Sequence, residues 1–247
     1  MSTVRKDTLF QVETIAEDFV FNQRVVEVFD DMLDRSVPFY RQVIEASAQL
    51  LGRLLSPGDV VYDLGCATGT TLLEFSRLLD HQGLRFVGID NSPPMLDKAR
   101  LKAELYRKQE VISFELGDII TFEQTGVGAV VLNYTLQFIR PLQREMFLQR
   151  IFRALRPGGV LLMSEKVICH DRRLNREFID IYHTFKKSRG YSELEIAKKR
   201  EALENVLIPY SSAENRAMLS RSGFTAMETY FQWFNFTSLV AVKPGEN

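Results

Sequence analysis

The stretch Val60–Gly69 places the strongest constraint on how this 247-residue chain can fold. It begins as a short apolar run, reaches an acid, and continues into a turn that contains two glycines. A helical pattern of apolar residues follows at once over Thr70–Leu79. Strand, glycine-rich loop and helix in this order predict the opening unit of a doubly wound α/β sheet. Gly65 and Gly69 allow the backbone to turn sharply and to approach a ligand closely.

The loop differs from both common glycine-rich nucleotide-binding loops. From Asp63 to Gly69 its order is Asp-x-Gly-x-x-x-Gly. The dinucleotide fingerprint instead needs Gly-x-Gly-x-x-Gly, and the P-loop ends in Gly-Lys-Ser/Thr. The order resembles the first motif of class I S-adenosylmethionine (AdoMet) methyltransferases, where the loop lies against the methionine part of the cofactor. The same spacing also occurs in ordinary turns, and the rest of the chain distinguishes the two.

The charge balance and the cysteine content argue against several classes of protein. Lys and Arg number 31 against 32 Asp and Glu, which gives no support to a protein whose main role is to bind nucleic acid. Cys66 and Cys169 are too few for a disulfide framework and favour a reducing compartment. Cys169–His170 has no second pair at metal spacing, so we expect no metal. Because no apolar leader or membrane-length run is present, we expect a cytoplasmic protein without membrane contact.

Strand and helix patterns alternate through the middle of the chain. After the first strand, strands are predicted at 84–90, 111–116, 127–133 and 160–164, and helices at 70–79, 95–106 and 142–155. Polar residues follow the strands, as in a doubly wound sheet whose ligand crevice lies at the carboxyl ends. Ahead of this region, helical spacing predicts one helix over 19–33 and a second that starts at Ser36, with Pro38 in its first turn.

The pattern changes after Glu165. Three helical segments are predicted at 171–188, 192–207 and 211–222, followed by strand-like runs at 224–233 and 236–242. Two runs so closely joined must pair antiparallel, which is typical of the class I methyltransferase fold. We therefore predict one AdoMet-binding α/β domain over 1–247, built on a doubly wound, mostly parallel sheet with a C-terminal antiparallel hairpin. It has an N-terminal helical extension at 1–57 and a helical insertion at 165–222.

Polar residues at the strand ends are the candidate cofactor ligands. Asp90 ends the second strand, where a carboxylate can accept from both ribose hydroxyls; capping of the next helix is its alternative role. Asp118 is placed to accept from the adenine amino group while Ile119 packs on the ring, and a solvated turn aspartate is the alternative. Asn133 ends the fourth strand and is expected to face the amino-acid end or the sulfonium.

Arg200 is a cation whose place on its helix follows from a capping box formed by Ser192 and Glu195. At about 100° per residue, Arg200 falls within roughly 40° of the centre of an apolar stripe. The stripe consists of Ile196, Leu203 and Leu207. An arginine in such a stripe must find an anion or reach water, so a ligand site and a structural ion pair are both open.

Other charged positions of these helices are expected to face solvent. The same helical phase points Lys198 and Glu201 away from the apolar stripe. We interpret Lys186–Lys187 and Lys198–Lys199 as solvated faces and His183 as a packed histidine.

Motifs along nearly the whole chain resemble the bacterial carboxy-S-adenosyl-L-methionine (carboxy-AdoMet) synthase family. They are Lys6–Phe10, Arg35–Pro38, Ile89–Ser92, Val131–Phe138, Leu162–Lys166, Gly190–Ile196, Lys199–Arg200 and Leu203–Val206. The insertion carries the most specific part of the resemblance, since generic methyltransferases would share only the glycine loop and Asp90.

The resemblance implies an enzyme that makes carboxy-AdoMet and phenylpyruvate from AdoMet and prephenate. A partner tRNA carboxymethyltransferase would use the product at a wobble uridine, and the synthase itself would be a homodimer without direct contact to nucleic acid. By matching motif, the cofactor would be held by Tyr40, Gly65, Cys66, Ala67, Asp90, Asn91, Asp118, Ile119 and Asn133. Arg200 would bind the new carboxylate as the catalytic residue. Ala67, Phe39 and 208–216 depart from the family pattern.

Two other functions stay open on the sequence. One is an ordinary small-molecule methyltransferase that uses AdoMet. The other is a non-catalytic AdoMet-binding subunit of a tRNA-modification system.

Overall fold

A seven-stranded sheet organises the protein, as seen in a computed structural model that describes residues 6–11, 22–79 and 83–245. Its strands are β1 (Val60–Leu64), β2 (Arg85–Asp90), β3 (Ile112–Leu116), β4 (Val127–Asn133), β5 (Leu155–Lys166), β6 (Ala226–Trp233) and β7 (Phe236–Val242). The strand order is β3-β2-β1-β4-β5-β7-β6. β1 to β5 are parallel, whereas β7 runs antiparallel to both β5 and β6. The predicted fold class, including the terminal hairpin, is confirmed.

Eight α-helices accompany the sheet within the described residues. They are α1 (Gln23–Ser36), α2 (Tyr40–Leu54), α3 (Thr70–Leu78), α4 (Pro93–Leu105), α5 (Pro141–Ala154), α6 (Arg172–Ser188), α7 (Glu193–Leu203) and α8 (Ser212–Arg221). Short 3-10 turns occupy Ile119–Thr121 and Leu136–Phe138. No helix in these described ranges is both long and apolar enough to cross a bilayer.

Two hydrophobic layers enclose the sheet, and β4 contributes to both. Val130 and Leu132 pack in the cluster that contains buried side chains of α5 and α8. Ala129 and Val131 alternate with them and pack in the opposite cluster, with α2 and α3. Burial on both faces explains why this strand is a continuous apolar run in the sequence.

The helices α6 and α7 are tied to the C-terminal end of α1. The Tyr182 hydroxyl of α6 donates to the Ser36 carbonyl oxygen at 2.9 Å, and Lys199 Nζ of α7 donates to Ser36 Oγ at 2.7 Å. Just before α7, the Tyr191 hydroxyl donates to the Asp7 carboxylate. These bonds hold α6, α7 and the segment 6–11 together beside the carboxyl ends of the parallel strands. The division into an extension at 1–57 and an insertion at 165–222 stays a prediction.

Three predicted element boundaries are wrong, and one of them is the end of α7, at Leu203 rather than 207. Ser36 does not start a helix; it is the last residue of α1, and α2 starts after Phe39, which adopts a left-handed backbone with φ 57°. β5 begins at Leu155 rather than 160, because Leu155 pairs with Val127 before a bulge shifts the register and Val160 pairs with Ala129. The predicted start of the first helix, at Phe19, lies outside the described residues.

Arg144 of α5 connects the loop after β4 with the segment after α7. Its guanidinium is buried and donates to the carbonyl oxygens of Ile139 at 2.8 Å, Gln137 at 3.2 Å and Ile208 at 2.6 Å. Three carbonyl groups of two separate segments therefore depend on one side chain for these hydrogen bonds.

We expect Arg144→Met to lower the free energy of unfolding by about 3 kcal/mol, because buried carbonyl groups lose charge-assisted hydrogen bonds. Urea denaturation measures the change. Arg153→Met is the matched control, since Arg153 lies exposed on the same helix and its loss is expected to cost less than about 0.5 kcal/mol. Equal losses for the two variants would contradict the connecting role of Arg144.

Candidate active site

A cavity of about 960 Å³ opens at the carboxyl ends of the parallel strands. Its floor consists of residues that follow β1, β2, β3 and β4, and Lys166 at the end of β5 adds to its wall. Side chains of α1, α6 and α7 complete its lining, and the part formed by Lys166, α6 and α7 is called the roof. The cavity therefore lies where a doubly wound sheet binds its ligand, with the extra helices as a roof.

Nine of the ten predicted site residues line this one cavity. They are Tyr40, Gly65, Cys66, Ala67, Asp90, Asn91, Ile119, Asn133 and Arg200. Asp118 is not among the lining residues; its side chain is exposed, and its Oδ1 accepts from the Ile120 backbone N–H at 3.0 Å. This turn-capping contact matches the alternative role of Asp118, and its contact with adenine stays a prediction.

The glycine loop after β1 can approach the end of β4 because Gly65 has no side chain. Gly65 has a φ of 81°, and a Cβ there would lie 2.6 Å from Cγ2 of Thr135. The Gly65 backbone N–H donates to the Ile89 carbonyl oxygen at 2.8 Å. These contacts join the ends of three neighbouring strands into one cradle for a ligand.

The Asp90 carboxylate organises the turn next to this loop. Its Oδ2 accepts from the Ala67 N–H at 2.9 Å, and its Oδ1 accepts from the Ser92 N–H at 2.9 Å. Ala67 reaches this position with a left-handed φ of 46°. Burial raises the pKa of Asp90, and the hydrogen bonds from Ser92 and Ala67 oppose that shift. Each oxygen retains capacity for a further donor, so turn capping and ribose binding are compatible.

Three buried oxygen atoms at the floor of the cavity have no hydrogen-bond partner within the described residues. They are Oδ1 of Asp63, Oδ1 of Asn133 and the hydroxyl of Tyr134. The side-chain nitrogen Nδ2 of Asn133 donates to Thr71 Oγ1 at 3.1 Å. The amide oxygen Oδ1 on the other side of the same group has no partner. Because buried acceptors without donors are costly, this floor is suited to a ligand that carries donors or positive charge.

Asp63 lines the cavity, although the sequence indicated it only as part of the glycine-loop motif. Its side chain is 1% exposed. The pKa of Asp63 is raised to about 8, mainly by burial and to a smaller extent by the neighbouring Asp90 carboxyl. The sequence signal that indicates Asp63 as a candidate site residue is an acid at the end of a strand, just before a glycine turn.

Within the described residues, the roof of the cavity carries four cations and one acid, Glu204. Lys166, Lys186, Lys199 and Arg200 all line it. Burial and the neighbouring cations lower the pKa of Lys186 to about 7, and burial lowers the pKa of Lys199 to about 8. His183 also lines the cavity and is half-buried, and burial is the main cause of its lowered pKa.

The prediction that Lys186 and Lys198–Lys199 are solvated is wrong. Lys186 is 5%, Lys198 8% and Lys199 7% exposed. The helical phase predicted Lys198 to point outward, but α7 packs on more than one side, so that face is covered as well. Of the residues expected to face solvent, Lys187 and Glu201 are exposed.

Arg200 lies on the cavity side of α7, as the capping box predicted. The Ser192–Glu195 capping box is present, and Leu203 and Leu207 line the cavity with Arg200. The Arg200 side chain is exposed rather than enclosed. Within the described ranges no carboxylate forms an ion pair with it, which leaves its guanidinium available to an anion.

In the part of the chain that is described, no group of three or more His, Cys, Asp or Glu residues is placed to hold a metal ion. The polar groups that line the cavity include acidic and amide oxygens at the strand ends and cations on β5, α6 and α7. The cavity matches a ligand that is positive at one end and negative at the other.

Comparison with known proteins identifies relatives of the whole chain. A methyltransferase-domain family matches residues 61–159. The carboxy-S-adenosyl-L-methionine synthase of Desulfotalea psychrophila is 65% identical over 98% of this chain and 99% of the relative. The synthase of Wolinella succinogenes is 47% identical over 96% of this chain and 98% of the relative. That of an Enterobacter species is 42% identical, with 98% of each covered.

Solved structures share the fold at low sequence identity. An O-methyltransferase family protein from Burkholderia thailandensis superposes with a TM-score of 0.68 and 19% identity, over 92% of this chain and 62% of that chain. Human N-acetylserotonin methyltransferase in complex with SAM gives a TM-score of 0.62 and 17% identity, over 90% of this chain and 57% of that chain. These similarities show the fold alone, whereas the sequence relatives establish AdoMet as the cofactor.

We expect AdoMet binding at pH 7 to release most of one proton from Asp63. The carboxyl is largely protonated below its pKa of about 8, and the methionine ammonium of AdoMet favours the carboxylate. AdoMet affinity therefore rises as pH increases toward 8. Titration calorimetry in buffers of different ionisation enthalpy measures the proton.

The proton release should be absent in Asp63→Asn and unchanged in Asp97→Asn, which alters an exposed acid on α4. Persistence of the release in Asp63→Asn would mean that the proton comes from another group.

Proposed function

The chain belongs to the carboxy-S-adenosyl-L-methionine synthase family, and we propose that it uses prephenate as the donor of the carboxyl group. It is an AdoMet-dependent transferase, and phenylpyruvate would be its second product. The observation that carries this proposal is a single cavity with orphan acidic and amide oxygens at its floor and cations at its roof. AdoMet is positive at its sulfonium and ammonium, whereas prephenate carries two carboxylates.

The proposed reaction balances without a further reactant. Prephenate loses its ring carboxyl as carbon dioxide and its ring hydroxyl, and becomes aromatic. The carboxyl carbon becomes bonded to the methyl carbon of AdoMet, and the displaced methyl proton leaves with the hydroxyl as water. AdoMet supplies a methyl group whose C–H bonds are weakly acidic because the carbon is attached to a sulfonium.

The residues at the floor of the cavity would bind and orient AdoMet. Asp90 would accept hydrogen bonds from the ribose, and Ile119 would pack on the adenine, with Asp118 at its amino group. Asp63 and Asn133 have the unpartnered oxygens that the methionine ammonium and the sulfonium region require. The positively charged reacting centre would then face the roof.

The residues at the roof would receive negative charge and exclude water. Arg200 would bind the carboxylate of the product, because a guanidinium forms two parallel hydrogen bonds with it. The rings of Tyr134 and Phe236 line the cavity, with centroids 6.2 Å apart, and reduce the room for water. A water-poor cavity protects carbon dioxide from hydration and strengthens these electrostatic contacts.

We place this activity in tRNA modification, where a carboxymethyltransferase would transfer the new group to a wobble uridine. This role and a cytoplasmic location rest on the family resemblance. The same resemblance supports a homodimer with 165–222 in the interface. A surface aromatic group supports it further: Phe39 is 45% exposed, with its centroid 6.2 Å from that of Trp233, and Phe234 is 36% exposed.

Turnover with purified protein tests the proposed function. We expect AdoMet and prephenate together to give carboxy-AdoMet and phenylpyruvate in equal amounts, identified by mass spectrometry. Reactions without prephenate should leave AdoMet unchanged. Methylation of an added small molecule, with no gain of a carboxyl group, would instead support an ordinary methyltransferase. Absence of any turnover while AdoMet binds would support a non-catalytic subunit.

We expect Arg200→Ala to weaken carboxy-AdoMet binding by about 2–4 kcal/mol, because the carboxylate loses its charged partner. AdoMet affinity should stay equal or improve, since a guanidinium near the sulfonium repels it. Arg200→Lys should recover only part of the loss, because an ammonium cannot form the planar pair.

Calorimetric titration of AdoMet and of carboxy-AdoMet against each variant measures the two affinities. Arg173→Ala, which alters an exposed arginine of α6, is the control. Equal losses for AdoMet and carboxy-AdoMet in Arg200→Ala would assign Arg200 a structural role.

A further inference from the structure

We propose that Lys166 and Lys186 form a second carboxylate subsite, which binds the side-chain carboxylate of the donor while Arg200 receives the transferred carboxyl. This inference rests on the proposed use of prephenate. It assigns a function to two lysines on different elements, one at the end of β5 and one on α6.

The two ammonium groups meet at one aromatic ring. Lys186 Nζ lies 4.5 Å and Lys166 Nζ 5.2 Å from the centroid of Tyr182. The Tyr182 hydroxyl is bound to the Ser36 carbonyl oxygen at 2.9 Å, and its ring centroid lies 5.0 Å from that of Phe236. Tyr182 is thereby fixed between the sheet and α1, and it positions both lysines toward the cavity that they line.

The lysine pair lacks the carboxylate partners that buried cations normally have. Within the described residues, no acid forms an ion pair with Lys166 or Lys186. Lys199 differs, because Ser36 Oγ accepts from it and the Asp7 carboxylate lies 3.9 Å away. Cations held together without anions destabilise a protein unless a ligand neutralises them.

The lowered pKa values agree with this geometry. Burial and the neighbouring cations lower the pKa of Lys186 to about 7, and burial with a contribution from Arg200 lowers the pKa of Lys166. A bound carboxylate would reverse both shifts, because it favours the charged ammonium forms. Lys166 and Lys186 are therefore suited to bind an anion.

A donor with two carboxylates explains why the roof has two cationic positions. Arg200 projects from α7 and the lysine pair lies against Tyr182, close enough for the Arg200 charge to lower the pKa of both lysines. The carboxyl that is transferred must lie beside the AdoMet methyl group, and Arg200 is proposed to hold it after transfer. The other carboxylate remains on the phenylpyruvate product. A separate subsite for it would orient the ring so that only one carboxyl reaches the methyl carbon.

Phenylpyruvate separates the two subsites experimentally, because it keeps the side-chain carboxylate and lacks the ring carboxyl. We expect its dissociation constant on AdoMet-loaded enzyme to rise about ten- to hundredfold in Lys186→Met and in Lys166→Met, since each loses a charged hydrogen bond. Arg200→Ala should raise it less than either lysine variant does, because Arg200 would act on this carboxylate only through its charge. Lys186→Arg should retain most of the affinity, because the positive charge remains.

Lys187→Met is the matched control. It removes an ammonium from the next position of α6, but Lys187 is exposed and pairs with Glu193. We expect it to leave phenylpyruvate binding and turnover unchanged. AdoMet affinity, measured in each variant, reports whether the cofactor end remains folded; a lysine variant that fails this check is replaced by Lys186→Gln or Lys166→Gln.

Steady-state kinetics with prephenate give the second readout. The KM for prephenate should rise about tenfold or more in the two lysine variants, while the product stays carboxy-AdoMet. Unchanged phenylpyruvate binding in both lysine variants, or an equal loss in Arg200→Ala, would overturn the subsite. Wild-type enzyme that makes no carboxy-AdoMet from prephenate would instead contradict the proposed function, whatever the lysine variants do.

Discussion

The close approach of Gly65 to Thr135 determines where a ligand can lie. A Cβ at Gly65 would come within 2.6 Å of the threonine side chain, so only glycine allows the ends of β1 and β4 to meet in this way. The same loop is held to β2 by hydrogen bonds to the Ile89 carbonyl oxygen and to Asp90. The ends of three strands are therefore joined into one floor.

The cavity is lined by acids at the strand ends and by lysines and an arginine on β5, α6 and α7. Burial raises the pKa of Asp63 at the floor to about 8 and lowers the pKa of Lys186 at the roof to about 7. Both shifts favour the neutral forms, because neither group has an opposite charge beside it in the described structure. A cationic cofactor and an anionic donor would reverse both shifts together, which couples the binding of one to the other electrostatically.

The sheet and much of the floor could be predicted from sequence because their signals are local. The apolar run of β4, the glycine loop and the capping box of α7 each lie within a few residues and need no tertiary information. Lys186 was misjudged because its burial depends on how α6 packs against distant parts of the chain. Ser36 was misassigned because it resembles a helix cap, whereas its side chain and carbonyl group bind α7 and α6.

The roof is the part of the cavity that carries the cations. The synthase relatives match nearly the whole chain in sequence, α6 and α7 included, whereas the solved methyltransferases share the fold at under 20% identity. The roof cations come from β5, α6 and α7, and α6 and α7 are held by Ser36 and, through Tyr191, by Asp7. In the proposed reaction, cofactor binding and carboxyl chemistry would therefore reside in different elements. The glycine loop at the floor is itself held by α1, since Thr68 and Thr70 donate to Asp30 at 2.6 and 3.2 Å. The proposed anion sites also require α6 and α7 to be docked on Ser36 and Asp7.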